Sequence, residues 1–101
     1  MIDVEISVVP IGTNTTSISE FVAESEKVLK KYPDLSYKLT AMSTEIEGRN
    51  INEIFDALKE MHLAQINKGA KRVQTSINID DRRDKEYTFT EKVLSVRSKL
   101  F

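Results

Sequence analysis

The first hydrophobic pattern along the chain is a strict alternation of apolar and polar residues over residues 2–9. Its apolar side consists of β-branched residues, which are Ile2, Val4, Ile6 and Val8. An alternation of period two with β-branched residues predicts a half-buried β-strand. Pro10 is expected to end this strand, because a proline has no backbone N–H to donate to a neighbouring strand.

Two later stretches carry their apolar side at helical spacing. The first stripe comprises Ile18, Phe21, Val22, Ser25, Val28, Leu29 and Tyr32, and the second Ile51, Ile54, Phe55, Leu58, Met61, His62 and Gln65. Ser17 with Glu20 predicts a capping box at the first helix, and Asn50 with Glu53 predicts a weaker start of the same kind at the second. Gly69 is expected to provide a left-handed C-cap.

The remaining strands follow from the same alternation. Residues 35–42 predict a second strand, the stretch around Ile46 predicts a short third strand that Gly48 ends, and residues 72–79 predict a fourth. The charged run Asp80 to Glu86 predicts a solvated loop, and a last short helix carries Phe89, Val93, Val96 and Leu100. The order β-α-β-β-α-β predicts an α+β ferredoxin-like sandwich with a four-stranded antiparallel sheet and an extra C-terminal helix. We expect a single domain over residues 1–101.

Two helices packed on one face of a sheet leave its other face, the open sheet face, uncovered. It is expected to carry Asp3, Glu5, Ser7, Lys38, Thr40, Met42, Gln74, Ser76 and Asn78. Such a face is either exposed to solvent or packed against another copy of the protein. We therefore expect self-association, as a homodimer or homotetramer, through the open sheet face.

Composition narrows the classes of function. The formal net charge is −1, so nucleic acid and anionic membranes are poor candidates as partners. No apolar run approaches the ~20 residues of a membrane span, and the start of the chain does not resemble a signal peptide. The chain has no cysteine, which excludes thiolate catalysis and thiolate metal sites. The expected compartment is the cytoplasm.

Candidate catalytic groups are few. His62 is the single histidine, so a zinc site would need carboxylates alone beside it. A partly buried histidine with one hydrogen bond is the favoured interpretation, and ligand contact is the alternative. The sequence contains no Gly-x-Ser-x-Gly elbow and no glycine-rich phosphate loop.

Carboxylates form two further groups. The run Asp80 to Glu86 alternates signs, so we expect salt bridges in solvent or between subunits rather than a cation site. Asp3 and Glu5 share one strand face and could act as an acid and a base. A pairing with Lys38 and Arg72, across the sheet or across a subunit contact, is favoured over that role.

The segment Met42-Ser43-Thr44-Glu45-Ile46-Glu47-Gly48 places hydroxyls and carboxylates close together, and on spacing alone a plain hairpin is favoured. With this segment the chain resembles the thiamine-binding protein family over nearly its whole length. The matching pieces are Val8-Val9-Pro10, the Met-x-Thr-x-x-Glu-Gly core within Tyr37 to Gly48, Met61-His62, Gly69-Ala70-Lys71-Arg72-Val73 leading to Thr75-Ser76-Ile77, and Ile79-Asp80-Asp81-Arg82-Arg83-Asp84.

The resemblance implies a ferredoxin-like subunit that associates through its sheet. It also implies non-catalytic binding of thiamine or its hydroxymethylpyrimidine part, with no cofactor. Thr44 and Glu47 inherit a place near the ligand. Ser43 and Glu45 differ from the residues common in relatives and could alter ligand choice. Phe21 is available for stacking on the ligand, as are Phe55 and Tyr37, although all three aromatic residues also fit core positions.

Two alternatives stay open at this point. The first is a regulatory or structural oligomer that senses another small metabolite through the same polar pocket. The second is an enzyme that uses Asp3, Glu5 or Glu47 as a general base, since ferredoxin-like domains host many activities. The second is weakened by the lack of a convergent nucleophile, base and oxyanion donor.

Overall fold

The computed structural model describes residues 1–100, and its elements follow the order that the sequence predicts. They are β1 (Ile2–Ile11), α1 (Ser19–Val28), a 3₁₀ turn (Leu29–Lys31), β2 (Ser36–Leu39), β3 (Thr44–Gly48), α2 (Ile51–Asn67), β4 (Arg72–Asp81) and α3 (Phe89–Arg97). The strands form one antiparallel sheet in the order β2-β3-β1-β4. The α+β ferredoxin-like prediction, with an extra C-terminal helix, is confirmed.

The core lies between the sheet and the pair α1 and α2. It contains Ile2, Val4, Ile6, Val8, Val28, Leu29, Leu35, Ile46, Ile54, Ala57, Leu58 and Met61, all buried. Apart from Ala57, each of these side chains contributes roughly 1.5–3 kcal/mol by leaving water, so the alternation of β1 is what fixes the helix side of the sheet. Phe55 and Tyr37, which fit core positions by sequence, are 50% and 45% exposed.

The expectation that Pro10 ends β1 is wrong. The strand continues to Ile11, and Pro10 lies opposite Val73 of β4. β3 pairs with β1 only as far as Ile6. Beyond Ile6, β1 has a neighbour on one side alone, and a proline is tolerated where one edge of the strand is unpaired.

Of the two predicted N-terminal helix caps, the structure confirms one and contradicts the other. At α2 the prediction is confirmed, because the side-chain oxygen of Asn50 accepts hydrogen bonds from the N–H groups of Asn52 (2.9 Å) and Glu53 (3.1 Å). At α1 it is wrong. The helix begins at Ser19 and its N-cap residue makes no side-chain cap, while Ser17 lies outside the helix.

The charged run is only partly a loop. Asp80 and Asp81 belong to β4, and the solvent-exposed loop begins after them. Its arginines pair locally, Arg82 with Asp84 at 2.8 Å and Arg83 with Asp81 at 2.7 Å. Gly69, by contrast, follows the prediction, with a φ of +120° after α2.

The third helix lies on the open sheet face. Lys92 of α3 reaches Asp3 of β1 and Asp80 of β4, with Nζ to Oδ2 distances of 2.5 Å and 2.7 Å. The apolar residues of α3 that remain exposed are Val93, Leu94 and Val96. None of the helices in residues 1–100 is long and apolar enough to cross a membrane.

The cap at α2 gives a first test. Asn50→Ala should lower the free energy of unfolding by about 1 kcal/mol, because it leaves two helix N–H groups without an acceptor. Ser17→Ala is the matched control and should change it by less than about 0.5 kcal/mol, because Ser17 caps no helix. Urea unfolding at one fixed protein concentration measures both. Equal losses in the two variants would contradict these cap assignments.

Candidate functional site

A cavity of about 270 Å³ opens between α1, α2 and the end of the sheet beside the β2–β3 turn. Its apolar walls come from Ile6, Val8, Ile18, Val22, Leu39 and Met61. Its polar lining includes Ser25, Glu26, Ser43, Thr44 and Gln65. Apolar walls with a few fixed polar groups are typical of small-molecule sites. The smallest such sites have volumes of about 300 Å³.

Buried hydrogen bonds hold the back of this cavity. Ser25 Oγ donates to the carbonyl oxygen of Met61 at 2.7 Å, which joins α1 to α2. Gln65 Nε2 donates to the carbonyl oxygen of Val8 at 2.9 Å and to Ser25 Oγ at 3.1 Å. Because these groups are buried, each bond replaces one lost to water and fixes its side chain.

The amide oxygen of Gln65 is the exception in that network. Gln65 is 0% exposed, and its Oε1 has no hydrogen-bond donor among the described residues. Turning the amide over would place Oε1 against the Val8 carbonyl, acceptor against acceptor, so the network fixes the orientation. A buried acceptor without a donor costs about 1–3 kcal/mol. Gln65 lines the cavity, so a bound donor that reached this buried oxygen would satisfy it.

A carboxylate and a hydroxyl lie at the mouth. Thr44 is buried at the start of β3 and faces the helices, and its Oγ1 donates a short hydrogen bond to Glu26 Oε1 of α1. This contact holds the Glu26 carboxylate against the cavity. The site thus combines a fixed negative charge with an uncharged acceptor deeper inside.

The β2–β3 turn closes one side of the cavity. Thr40 Oγ1 donates to the carbonyl oxygen of Ser43 at 2.8 Å and accepts from the Ser43 N–H at 3.2 Å. Ser43 Oγ donates in turn to Glu5 Oε2 at 3.1 Å. The turn is therefore fixed by its own side chains and by β1, which holds the wall in place before any ligand binds.

The structure separates the residues that the sequence places near a ligand. Ser43 and Thr44 line the cavity. Glu45 and Glu47 alternate with Thr44 along β3 and lie on the open sheet face, so Glu47 and Thr44 cannot reach one ligand within a subunit. Phe21 is half-buried on α1 and does not line the cavity. Ligand contact by Glu45, Glu47 and Phe21 stays a prediction.

Glu47 instead anchors α3. Its Oε2 accepts from the N–H of Phe89 at 2.5 Å, and it lies directly opposite Asp3. Burial raises the pKa of the Glu47 carboxyl above its ordinary value of 4.5, and the neighbouring Asp3 raises it further, against the opposing effect of the Phe89 N–H. Asp3 and Asp80 in turn raise the pKa of Lys92. This cluster joins the helix to the sheet.

The predicted pairing of Asp3 and Glu5 with Lys38 and Arg72 across the sheet is wrong, and the alternative across a subunit contact stays a prediction. Asp3 pairs with Lys92, and Glu5 accepts from Ser43 and from Asn78 Nδ2 at 3.2 Å. Lys38 lies opposite Glu45, and Arg72 lies opposite Ile11 at the far end of β1. The sequence could not reveal this, because the position of α3 decides which cation reaches Asp3.

His62 follows its favoured interpretation. It is half-buried on α2, and its Nδ1 lies 2.6 Å from Thr75 Oγ1 of β4, away from the cavity. No group of three or more histidine, cysteine, aspartate or glutamate side chains within residues 1–100 could hold a metal ion.

Other concave surfaces are wider and more open. A groove of about 650 Å³ at Met1 and Arg49 is lined by charges that are largely paired, such as Arg49 with Glu86 at 2.9 Å. A second groove of about 390 Å³ runs beneath α3, where Glu45 lies with Glu5 and Asp3. The Asp3 carboxylate in the groove beneath α3 is buried but paired with Lys92, and neither groove holds an uncharged, unpaired buried acceptor among the described residues, so the cavity at Gln65 is the best candidate site.

Sequence reasoning missed Ser25, Glu26 and Gln65 as site residues. A signal was present for two of them, since Ser25 and Gln65 are polar residues standing on the apolar stripes of α1 and α2. A polar residue at such a position is buried and needs a partner. Glu26 gives no signal of this kind, because it lies on the polar flank of α1.

Comparisons of the sequence and of the structure with known proteins all point to one family. The family model described as "Thiamine-binding protein" matches residues 4–97. The UPF0045 protein YqgV of Bacillus subtilis is 41% identical, covering 95% of this chain and 94% of its own. A hypothetical protein of Methanocaldococcus jannaschii has a similar structure, with a TM-score of 0.85, 38% identity and 95% of both chains covered. A candidate thiamine biosynthesis/salvage protein of Thermotoga maritima has a TM-score of 0.77 and 26% identity, covering 95% of this chain and 98% of its own.

The raised pKa of Glu47 predicts a pH dependence of stability. As the pH rises above 4.5, Glu47 loses its proton in the unfolded chain at a lower pH than in the folded protein. The free energy of unfolding therefore falls as the pH rises from 4.5 through the pKa of Glu47 in the folded protein. Glu47→Gln keeps an acceptor for Phe89 and cannot titrate. The free energy of unfolding of the variant minus that of the wild type should therefore grow from pH 4.5 towards neutral pH, as measured by urea unfolding. A difference that stays constant with pH would contradict the assignment.

Proposed function

Because this chain belongs to the thiamine-binding protein family, we propose that it binds thiamine or its hydroxymethylpyrimidine part in the cavity at Gln65 and catalyses no reaction. The observation that carries the proposal is the buried Oε1 of Gln65, which lacks a donor among the described residues. The exocyclic amine of an aminopyrimidine is a donor of the required kind. Its binding would remove the cost of the unpaired acceptor.

The other polar groups fit the same ligand. An aminopyrimidine also carries ring nitrogens that accept hydrogen bonds. Ser43 and Thr44 line the cavity, and either hydroxyl would donate to a ring nitrogen in exchange for its present bond to Glu5 or Glu26. Thiamine adds a cationic thiazolium ring, which the Glu26 carboxylate at the mouth would attract. A cavity of about 270 Å³ suits the pyrimidine as an enclosed part and leaves the remainder of thiamine near the opening.

The biological role in this proposal is ligand binding in salvage, buffering or transport support. The Glu26 carboxylate accepts a hydrogen bond from the Thr44 hydroxyl, but the described contacts give this pair neither an orienting third group nor an oxyanion donor, so the proposed role is recognition of a ligand. The Thermotoga maritima relative, described as a candidate thiamine biosynthesis/salvage protein, agrees with that role. No cofactor is required by this proposal. A regulatory protein that senses a different aminated heterocycle would use the same acceptors, and a ligand screen separates the two.

Self-association through the open sheet face is part of the proposal. The exposed apolar side chains of α3 continue the surface that the sheet leaves uncovered, and they are Val93, Leu94 and Val96. A second copy of the chain presenting the same surface would cover them. The cavity lies on the helix side of the sheet, so this association leaves the site accessible.

Ligand binding should stabilise the folded protein. Thiamine or hydroxymethylpyrimidine at about one hundred times its Kd should add roughly 2.7 kcal/mol to the free energy of unfolding. In a domain of this size the melting temperature should rise by about 10 °C. A thermal-shift screen of vitamins and their precursors measures this. If neither compound shifts the melting temperature and calorimetry detects no heat, the proposed ligand is wrong.

Single substitutions test the site separately. Glu26→Gln should weaken thiamine binding about tenfold or more, because charge-assisted contacts contribute about 1.5–3 kcal/mol. Thr44→Val should weaken it less, since it only frees the Glu26 carboxylate. Glu24→Gln is the matched control, because it removes a carboxylate from the same helix outside the cavity. Calorimetric titration measures each Kd. A loss of affinity in Glu47→Gln with none in Glu26→Gln would move the site to the open sheet face.

A further inference from the structure

The cavity at Gln65 is lined by one charged side chain, and that charge is negative. Among the described residues that line it, Glu26 is the single carboxylate, and none is a lysine, an arginine or a histidine. Lys30 lies four residues after Glu26 but forms no salt bridge with it within residues 1–100. Because Glu26 is half-buried and held by Thr44, water screens its charge only in part.

Uncharged polar side chains from the helices, the β2–β3 turn and β3 have their donor groups already engaged. Ser25 Oγ and Gln65 Nε2 donate to backbone carbonyl oxygens of α2 and β1. The hydroxyls of Thr40, Ser43 and Thr44 donate within the turn or to carboxylates. The unpaired Oε1 of Gln65 and the carboxylate at the mouth are acceptors. The cavity is therefore arranged to accept hydrogen bonds from a ligand and to attract positive charge.

We propose that the cavity selects hydroxymethylpyrimidine and thiamine in their unphosphorylated forms, and that Glu26 is the residue that determines this specificity. The inference rests on the proposed function, because it requires the pyrimidine amine to lie at Gln65 Oε1. The protein then takes up its ligand before a phosphoryl group is attached or after one has been removed.

The structure of the two ligands places the decisive group beside Glu26. The ring carbon whose substituent ends in the hydroxyl of hydroxymethylpyrimidine carries the thiazolium ring in thiamine. The cavity, of about 270 Å³, encloses the pyrimidine alone, so this substituent points to the mouth. A hydroxyl at that position donates a charge-assisted hydrogen bond to the Glu26 carboxylate. A thiazolium ring there is attracted by the same charge.

A phosphate ester at this position reverses both effects. It removes the hydroxyl that donates to Glu26, and it places between one and two negative charges beside the carboxylate at neutral pH. The Ser43 or Thr44 hydroxyl could turn to the phosphate only by leaving Glu5 or Glu26 without its present donor. Specificity of this kind combines a favourable contact for one ligand with a repulsive contact for its competitor.

Calorimetric titration with three related compounds tests the selection. They are hydroxymethylpyrimidine, its phosphate ester and its methyl ether. The ester should bind at least about tenfold more weakly than the alcohol, because it loses a charge-assisted hydrogen bond and gains a like-charge contact. The ether should lie between them, since it loses the donor without adding a charge.

The outcomes separate this inference from the proposed function. An ester that binds as tightly as the alcohol would overturn the inference and leave the proposed function standing. An ether as weak as the ester would overturn the role given to charge. If none of the three compounds and no form of thiamine binds, the proposed function fails and the inference fails with it.

The variant Glu26→Gln tests the residue, and the readout is the ratio of the ester Kd to the alcohol Kd. Removal of the carboxylate should reduce this ratio about tenfold, because the like-charge contact is lost. A purely structural defect would weaken both ligands equally and leave the ratio unchanged. Glu24→Gln is the matched control and should keep the wild-type ratio, since Glu24 lies outside the cavity. Circular dichroism shows that both variants are folded. An unchanged ratio in Glu26→Gln would overturn the assignment.

Thiamine monophosphate tests the orientation of the ligand. Its phosphate is attached to the far side of the thiazolium ring, so it should lie in solvent outside the mouth. Salt screens exposed charges over about 8 Å at physiological ionic strength. Thiamine monophosphate should therefore bind within about threefold of thiamine at that ionic strength. A penalty larger than that of the hydroxymethylpyrimidine ester would overturn the proposed placement of the charged group at Glu26.

Discussion

Neighbouring side chains along a β-strand point to opposite faces of the sheet. Here α1 and α2 cover one face, and α3 contacts part of the other. In β3 this alternation turns Thr44 towards α1 and Glu47 towards α3. The two residues therefore take part in different structures, one in the wall of a cavity and the other in the attachment of a helix. In β4 the same alternation leaves a row of polar side chains on the open sheet face, and the position of β4 at the end of the sheet leaves its outer edge unpaired. The ligand site and the surfaces for self-association thus lie on different parts of one sheet.

The cavity exists because α1 and α2 bring polar residues into the layer between helices and sheet. Ser25 and Gln65 are bonded to each other and to backbone carbonyls, which keeps the space between them open and its polar groups fixed. A fully apolar pair at these positions would fill the space by ordinary packing. The unpaired Oε1 of Gln65 is a cost to the folded protein without ligand. Such a cost is expected at a site where a ligand supplies the missing donor. Natural sequences depart from the most stable packing mainly at functional sites.

The sequence predicts the fold because its signals are redundant. The alternation of β1, the two apolar stripes, the Asn50 cap and Gly69 all indicate the same arrangement, and hydrophobic burial enforces it. The site is less predictable for physical reasons. Alternation alone puts Thr44 on the face of Ile46 and Glu47 on the other once both belong to β3. Where β3 begins is not given by the alternation, because the Thr40–Ser43 turn decides it. The partner of Asp3 depends on where α3 packs, which no pattern in the sequence encodes. Ser25 and Gln65 could have been found, as polar residues on apolar stripes.

A crystal structure of the protein with hydroxymethylpyrimidine bound tests the central claim most directly. We expect the pyrimidine to lie between α1, α2 and the sheet. Its exocyclic amine should lie within about 3.2 Å of Gln65 Oε1, with the Glu26 carboxylate at the mouth of the cavity. A pyrimidine on the open sheet face beside Glu47, or one in the cavity whose amine makes no contact with Gln65, would contradict it.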